Sequence, residues 1–455
     1  MKNLEIKPTG TLADFVVGLR YEQIPEEVLH AIKRSFLDSI GCSLGGSRLE
    51  AGQLVRDFFE ELRGKPEAKV FSTGVKLPLI NASYVNSYSA NLLDLDDGMS
   101  EGHLGATINP PALTVGENLK VSGKELITAL LAGYEVGSRI GEGLRATPER
   151  FRVVRGLSTF QIFTTAAVVS KLFNFDSDQT ASCFGVAGAN APVPSVYKIG
   201  FTERPISWAK NNFGWAAMGG VLAGLLVSRG FQGNRFILDG ERGFWRMAAS
   251  DRCDFAAMVA DLGEDWRILK NQFKPYSSCR NHHGALDAVK TLKEKHNIKP
   301  EEVEEVTVYS IWRLTEHMDR RPACLLDIQF SVPFLISAML NGRMDRYDWL
   351  FHVKPEDPKI LSLADKVVCI EDKDYERLFE ERKGVQTRVI IRAHGSEYEE
   401  YVPIALGDPR NPLSDFELER KFRALTTPVL GVEKVNHLVE CIWNLEKCAN
   451  VSEIL

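Results

Sequence analysis

The period of the apolar residues changes twice along this chain, and that change constrains the fold more than any single motif. From residue 11 to about 270 the spacing is helical. Leu12, Phe15, Val16 and Leu19 share one face, and Pro25 opens a second helix with Val28, Ile32, Phe36 and Ile40 on its apolar side. A further helix is expected over 123–145, with Ser122 as its N-cap and Gly133, Gly137 and Gly141 recurring every four residues. That glycine row predicts a neighbouring helix at close approach. It is not a dinucleotide fingerprint, because no strand precedes Gly137-x-x-x-Gly141-x-Gly143 and the spacing is wrong. The stretches 166–172 and 216–226 share this small-residue character, whereas 185–206, dense in Gly, Pro and Ala, reads as a long irregular loop.

Near residue 271 the pattern shifts. Val303 to Tyr309 interleaves apolar and polar residues as a half-buried strand does, a helix follows at about 328–341, and 387–392 with 399–406 reads as a hairpin turning at His394-Gly395. The capping box Ser414-x-x-Glu417 then restarts helix to the end. The expected fold is mainly α with an α+β insert. Both chain ends, 1–270 and 408–455, form a large all-helical domain around a smaller α+β lid at 271–407. A length of 455 residues exceeds what one hydrophobic core usually supports.

Bulk chemistry narrows the function. A net charge of −6 leaves no basic surplus to neutralise nucleic-acid phosphates, yet it permits an acidic small substrate in a locally cationic cleft. The eight cysteines are scattered with no CxxC pair, which fits a reduced compartment and gives no zinc or iron–sulfur signature. No metal is expected. The N-terminus lacks an apolar signal core, and the apolar run from Trp215 to Val227 is too short to span a membrane, so a cytoplasmic protein is expected.

Two distant polar segments carry matching chemistry: Asp94-Leu-Asp-Asp-Gly-Met-Ser-Glu-Gly-His103, and Lys274 to Asp287 with Arg280, His282 and His283. Guanidinium matches carboxylates and imidazole titrates near neutrality, a combination suited to binding a small acid and moving a proton on it. With these segments and three others in order, the chain resembles the MmgE/PrpD family. The others are Ile24-Pro25 leading to Leu37-Asp38-x-x-Gly41, Trp208-x-Lys210 before Gly214-Trp-Ala-Ala217, and Gly407-Asp-Pro through Ser414 to Lys421-Phe422.

The resemblance covers essentially the whole length. It implies a helical domain with an α+β lid, a homodimer, and a cofactor-free active site at the domain junction. The implied chemistry breaks a bond beside a carboxylate on a small polycarboxylic acid, most like 2-methylcitrate dehydratase. Epimerisation of an iminodisuccinate-like acid, cis-aconitate-type decarboxylation and a catalytically silent, metabolite-binding paralogue are the alternatives.

By resemblance His103 and His283 do acid–base work, Lys210 supplies a cation or proton, and Asp94 orients a histidine or bonds a substrate hydroxyl. Arg280, Arg155, Asp97, Lys274 and His282 are the expected substrate-binding residues. Asp96 and Asp97 could equally cap the loop backbone. Two departures bear on the substrate: Arg155 stands where decarboxylase-like members carry a histidine, and Phe334 where they carry an active-site tyrosine. Both disfavour decarboxylation.

Overall fold

The computed structural model describes residues 5–99, 102–196 and 204–455, with the side chains of Arg155, Leu157, Ser195 and Val196 outside that description. The helix Gly123–Gly143 starts where the sequence predicts. The Ser122 hydroxyl accepts from the Glu125 amide, and the Glu125 carboxylate accepts from the Ser122 amide at 2.7 Å. The glycine row on this helix is a contact surface: a Cβ added at Gly133 would stand 2.8 Å from the Val168 side chain on helix Leu157–Leu172. Helix Phe213–Val227 packs on the same partner, with Gly220 and Gly224 against Thr165 and Val169.

Both ends of the chain build the helical part. Helix Asp415–Leu430 begins with the expected capping box at Ser414 and packs on Glu26–Gly46. Across that interface the Lys421 ammonium lies 2.6 Å from Asp38 Oδ1, with both side chains buried. Separating such a pair would strand a buried charge.

One expectation fails in the first half. The segment 185–206 does not begin as a loop, because helix Ser177–Ala189 runs through it behind the capping box of Asp176 and Gln179. The glycines read as breakers are packing notches: a Cβ at Gly188 would meet Ile237 and Phe163 at 2.8 and 2.9 Å. Residues 197–203 of that stretch lie outside the described residues.

The α+β part holds a four-stranded sheet in the order Val367–Glu371, Val303–Ser310, Thr387–Ala393, Ser396–Val402. The first pair is parallel and the other two antiparallel. The hairpin turns at His394-Gly395 with φ of 54° and 68°, the left-handed pair that a two-residue turn requires. Inward alternation buries Val389, Ile391 and Ala393, and helix His283–His296 covers both hairpin strands. The helix expected over 328–341 is Val332–Leu340, opened by the Ser331 hydroxyl. Strand Val367–Glu371 was not foreseen, being a short apolar run at a sheet edge with too few residues to set a period.

Among the described residues two large hydrophobic clusters form, with two small ones beside them. The second, centred on the sheet, draws in Tyr88, Leu92, Leu93, Leu95 and Leu425 from helical segments, so the loop after residue 91 is gripped from both sides. Among the described residues no helix is long and apolar enough to cross a membrane.

Candidate active site

The acidic loop starts where helix Leu79–Asn91 ends. The Asp94 amide donates to the Asn91 carbonyl at 3.0 Å, and Asp94 takes φ +45°, a left-handed conformation that a non-glycine residue holds only when its surroundings fix it. This turn buries three carboxylates and gives each a different partner. Asp94 accepts from the Lys274 ammonium at 2.9 Å through both its carboxylate and its own carbonyl. Asp96 accepts from the Asn91 amide at 2.8 Å and lies 3.3 Å from His103 Nδ1. Asp97 accepts from the Gly105 amide at 3.1 Å, at the start of helix Gly105–Leu119, and from the Tyr134 hydroxyl at 2.6 Å. Burial and the nearby Asp38 carboxylate push Asp97 up to about 7. The capping alternative describes Asp97, which does not line the cavity beside this loop.

That cavity measures about 460 Å³, and Asp94, His103, Gln272, Lys274 and Arg280 are among its lining residues. The His103 side chain is 19% exposed, with Nε2 3.9 Å from Asp94 Oδ1. Its Nδ1 lies beside both the Asp96 carboxylate and the Asn91 side-chain amide nitrogen, at 3.3 and 3.4 Å. Burial opposes ionisation of Asp94, but Lys210, Lys274 and His103 together outweigh it and hold the carboxyl well below the usual range.

The histidine segment behaves differently. Arg280 donates through Nε to Gln272 at 2.9 Å, through Nη1 to the Leu406 carbonyl at 2.6 Å, and through Nη2 to the Ala405 carbonyl at 3.1 Å. Its Nη1 also lies 3.2 Å from His283 Nδ1, while His283 Nε2 lies 3.3 Å from the Ser278 carbonyl. A guanidinium can only donate, so Nδ1 of His283 accepts and its Nε2–H donates, the neutral tautomer. Burial and the Arg280 and Lys274 cations hold His283 well below its usual value. It is fully buried and is not among the lining residues. Burial pushes Arg280 down to about 10, still a cation at neutral pH. His282 is buried as well, its Nε2 2.7 Å from His317 Nδ1, and burial lowers it to about 3.

Lys210 sits in the turn ahead of helix Phe213–Val227, donating to Gln329 Oε1 at 3.2 Å with its ammonium 4.4 Å over the Phe330 ring. Burial pushes it below the usual ammonium value, with Asp94 opposing. Asn211 and Phe330, rather than Lys210 itself, line the cavity. The structure therefore gathers Asp94, His103, Lys274 and Arg280 on one lining and sets His282, His283, Lys210 and Asp97 behind it. The Arg155 side chain lies outside the described residues; its backbone pairs with Ser195 in a two-residue strand. Phe334 corrects an expectation: it is fully buried in the sheet-side cluster and does not line the cavity, so no hydroxyl is lost from this wall there.

Sequence reasoning missed the amides that organise these groups. Asn91 joins Asp96 to Asn211, and Gln329 joins Lys210 to the Leu92 carbonyl. Asn and Gln carry no motif at such spacings; only adjacency to the acidic loop could have flagged Asn91. Among the described residues two groups have donor atoms close enough for a metal ion, Cys279-His282-His317 and Asp94-Asp96-His103. In the first, two ligand nitrogens already hydrogen-bond each other and Lys274, Arg204 and Arg313 lie close enough to depress His282. In the second, Lys274 occupies Asp94. Fixed cations beside both sets disfavour a divalent ion.

Comparison with known proteins agrees with this architecture. The family model described as MmgE/PrpD N-terminal domain matches residues 10–255, and that described as MmgE/PrpD C-terminal domain matches 276–447. The chain is 23% identical to the cis-aconitate decarboxylase-like protein oryM of Aspergillus oryzae, covering 98% of this chain and 96% of that one. It is 22% identical to a cis-aconitate decarboxylase of Aspergillus terreus (98% and 95% covered) and 23% to that of Homo sapiens (98% and 93%).

Proposed function

The chain belongs to the MmgE/PrpD family, and from that premise we propose a lyase-type enzyme that works on a small polycarboxylic acid by proton transfer beside a carboxylate. Dehydration of a hydroxylated acid is the preferred reaction. The observation that carries this reading is the His103 imidazole on the cavity wall, 3.3 Å from Asp96 and 3.9 Å from Asp94, with Lys274 and Arg280 on the same lining. Removing a proton next to a carboxylate drives charge onto oxygens that are already anionic, so the base must work beside fixed cations.

In this reading Nε2 of His103 takes the α-proton and Asp96 steadies the imidazolium. Lys274 and the remaining N–H of Arg280 hold substrate carboxylates. The electron pair left on the α-carbon becomes a carbon–carbon double bond as the β-hydroxyl departs as water. Lys210, its ammonium weakened by burial, is the third cation of the set and acts from behind the lining, while the proton taken up by His103 passes to the leaving oxygen. His283 acts through Arg280, whose orientation it fixes.

Decarboxylation is the second reading, favoured by the names of the similar proteins and by the position of Phe334 away from the cavity. Incubating 2-methylcitrate, citrate and cis-aconitate with the protein in D2O, followed by proton NMR, separates the outcomes. Loss of water with a new olefinic methyl singlet from 2-methylcitrate, or with a new vinyl proton from citrate, supports dehydration, and release of CO2 supports the second reading. Deuterium washed into the α-position with the hydroxyl retained would point to epimerisation. No change in a panel of di- and tricarboxylates sinks the enzymatic reading and leaves a metabolite-binding one.

The reading carries a homodimer with it, supported by helix Glu50–Leu62, which exposes Leu54, Phe58 and Leu62 along one stripe. Sedimentation equilibrium at about twice the 50.8 kDa chain mass is the expected result.

A further inference from the structure

The cationic end of the cavity holds fewer open donors than its charge suggests. A guanidinium has five N–H groups and an ammonium three. Arg280 commits four of its five: Nε to Gln272 Oε1 at 2.9 Å, Nη1 to the Leu406 carbonyl and to His283 Nδ1, and Nη2 to the Ala405 carbonyl. Lys274 commits two of its three to Asp94, one to the carboxylate and one to the carbonyl. One N–H on each cation is left for a ligand. A carboxylate brings two oxygens with about four acceptor positions. The two-pronged grip for which arginine is suited is therefore not open to Arg280 by itself.

Gln272 can supply the missing donor. Arg280 only donates, so the atom of the Gln272 amide turned toward it is the oxygen, and the NH2 group is the other end of the same amide. The chemistry of the partner fixes this orientation, which similar-looking oxygen and nitrogen atoms leave open elsewhere. Among the described residues that NH2 has no hydrogen-bond acceptor. Gln272 is half-buried and lines the cavity together with Lys274 and Arg280. Its backbone is pinned on the other side. The Gln272 amide donates to the Gly98 carbonyl at 2.8 Å, and the Gly98 amide donates to the Gln272 carbonyl at 3.0 Å. This bridge joins the end of the acidic loop to the start of the histidine segment. An amide held at its backbone and at its oxygen is a preorganised donor, with little freedom left to lose on binding.

We propose that Gln272 is a substrate-binding residue, its side-chain NH2 donating to a carboxylate oxygen of the bound acid beside the remaining N–H of Arg280. The proposal rests on the reading of this cavity as an acid site and adds a neutral contact to it. Neither the charge pattern nor the family motifs in the chain nominate this residue, because a glutamine carries no charge and sits two positions ahead of Lys274.

Gln272→Glu is the informative variant. It replaces the NH2 by an oxygen and keeps the other oxygen for Arg280 Nε, so the guanidinium stays oriented while the ligand contact turns from donor to acceptor. Succinate and tricarballylate have no hydroxyl to lose, so their binding is read without turnover. Both are titrated calorimetrically into the intact protein, Gln272→Glu and Gln272→Met, at low and high salt. The expected result is an affinity loss of roughly 10–100-fold in Gln272→Glu, the worth of a hydrogen bond to a charged group, retained at high salt. Unchanged affinity in Gln272→Glu overturns the proposal and leaves Gln272 as a support for Arg280. A loss that disappears at high salt, where the field of an added charge is screened, overturns it too. Should Gln272→Glu fail to fold, Gln272→Met, which keeps the length but has no donor, is expected to lose at least about fivefold, and full affinity there overturns the proposal. If the variants lose affinity as expected while no acid in the D2O panel reacts, the enzymatic reading falls and the contact stands. If acids turn over and Gln272→Glu binds them as the wild type does, the reverse holds. Failure of both acids to bind the wild type removes the acid site and this contact with it.

Discussion

The two histidine-bearing segments meet at one cavity but sit in opposite electrostatic fields. His103 is partly exposed between two carboxylates, with Asp96 at 3.3 Å and Asp94 at 3.9 Å. His283 is wholly buried, with a guanidinium 3.2 Å from one nitrogen and a carbonyl 3.3 Å from the other. Carboxylates stabilise an imidazolium, whereas cations and burial forbid it. The same side chain therefore faces acceptors at one position and is held as a neutral hydrogen-bonding wedge at the other. Residue type does not separate these roles; the charge of the neighbours does.

The largest expected effect comes from removing the imidazole in the acidic field. His103→Ala should lower the turnover found in the D2O panel by roughly 10²–10⁴-fold, the contribution of a positioned general base. His283→Ala should act mainly on KM, because it loosens Arg280 rather than deleting a proton carrier. Single-turnover kinetics of both variants check this, and equal losses in kcat would erase the contrast between the two sites.

The next effect falls on the bond that joins the segments. Asp94→Asn removes the counter-charge 2.9 Å from the 2% exposed Lys274 ammonium and leaves it only neutral acceptors, the residue 94 carbonyl among them. Stranding a buried charge costs about 3–5 kcal/mol, readable as a lowered midpoint in urea unfolding. Adding Lys274→Met to Asp94→Asn should restore much of that stability without restoring activity. If the single variant unfolds at the wild-type midpoint, the pair does not tie the segments together.

Much of this was legible in the chain because the signals were local. Ser122 and Ser414 stand three residues before a glutamate, and both capping boxes form. His394-Gly395 supplies the two positive φ angles of a tight hairpin. The row from Gly133 predicted a close helix neighbour, which is Leu157–Leu172. Glycine misleads where its two uses look alike: the stretch 185–206 reads as a loop, yet Gly185 and Gly188 at its start are notches inside Ser177–Ala189.

At the site, sequence and resemblance nominated the charged residues but not their depth. Asp94, His103, Lys274 and Arg280 reach the lining, while His283, His282, Lys210 and Asp97 support it from behind. Depth depends on which neighbour covers a residue, and those neighbours, Gln329 and His317 from distant segments and Asn91 beside the acidic loop, carry no pattern. Phe334 is the sharpest case. A substitution that looked like a change in the site lies inside the sheet-side core.

The smallest effect reads the burial of the histidine segment through His282. Burial depresses this imidazole from 6.5 to about 3 in the folded protein. The unfolded chain therefore binds a proton that the folded chain refuses throughout that window. Stability that depends on a neutral His282 is fully present above the unfolded value and is lost as pH falls below it, at about 1.4 kcal/mol per pH unit. Buried acids contribute the opposite slope, since Asp97 and Glu135 are both raised to about 7 and favour the folded state when protonated. The total pH profile consequently mixes both signs, and only a difference isolates one group. His282→Asn keeps a polar side chain but cannot titrate, so wild type minus variant should lose stability by about 1.4 kcal/mol per unit on acidification from 6.5. Urea unfolding at a series of pH values measures that difference. A flat difference would mean that His282 takes up its proton in the folded state, and burial would then not keep this imidazole neutral.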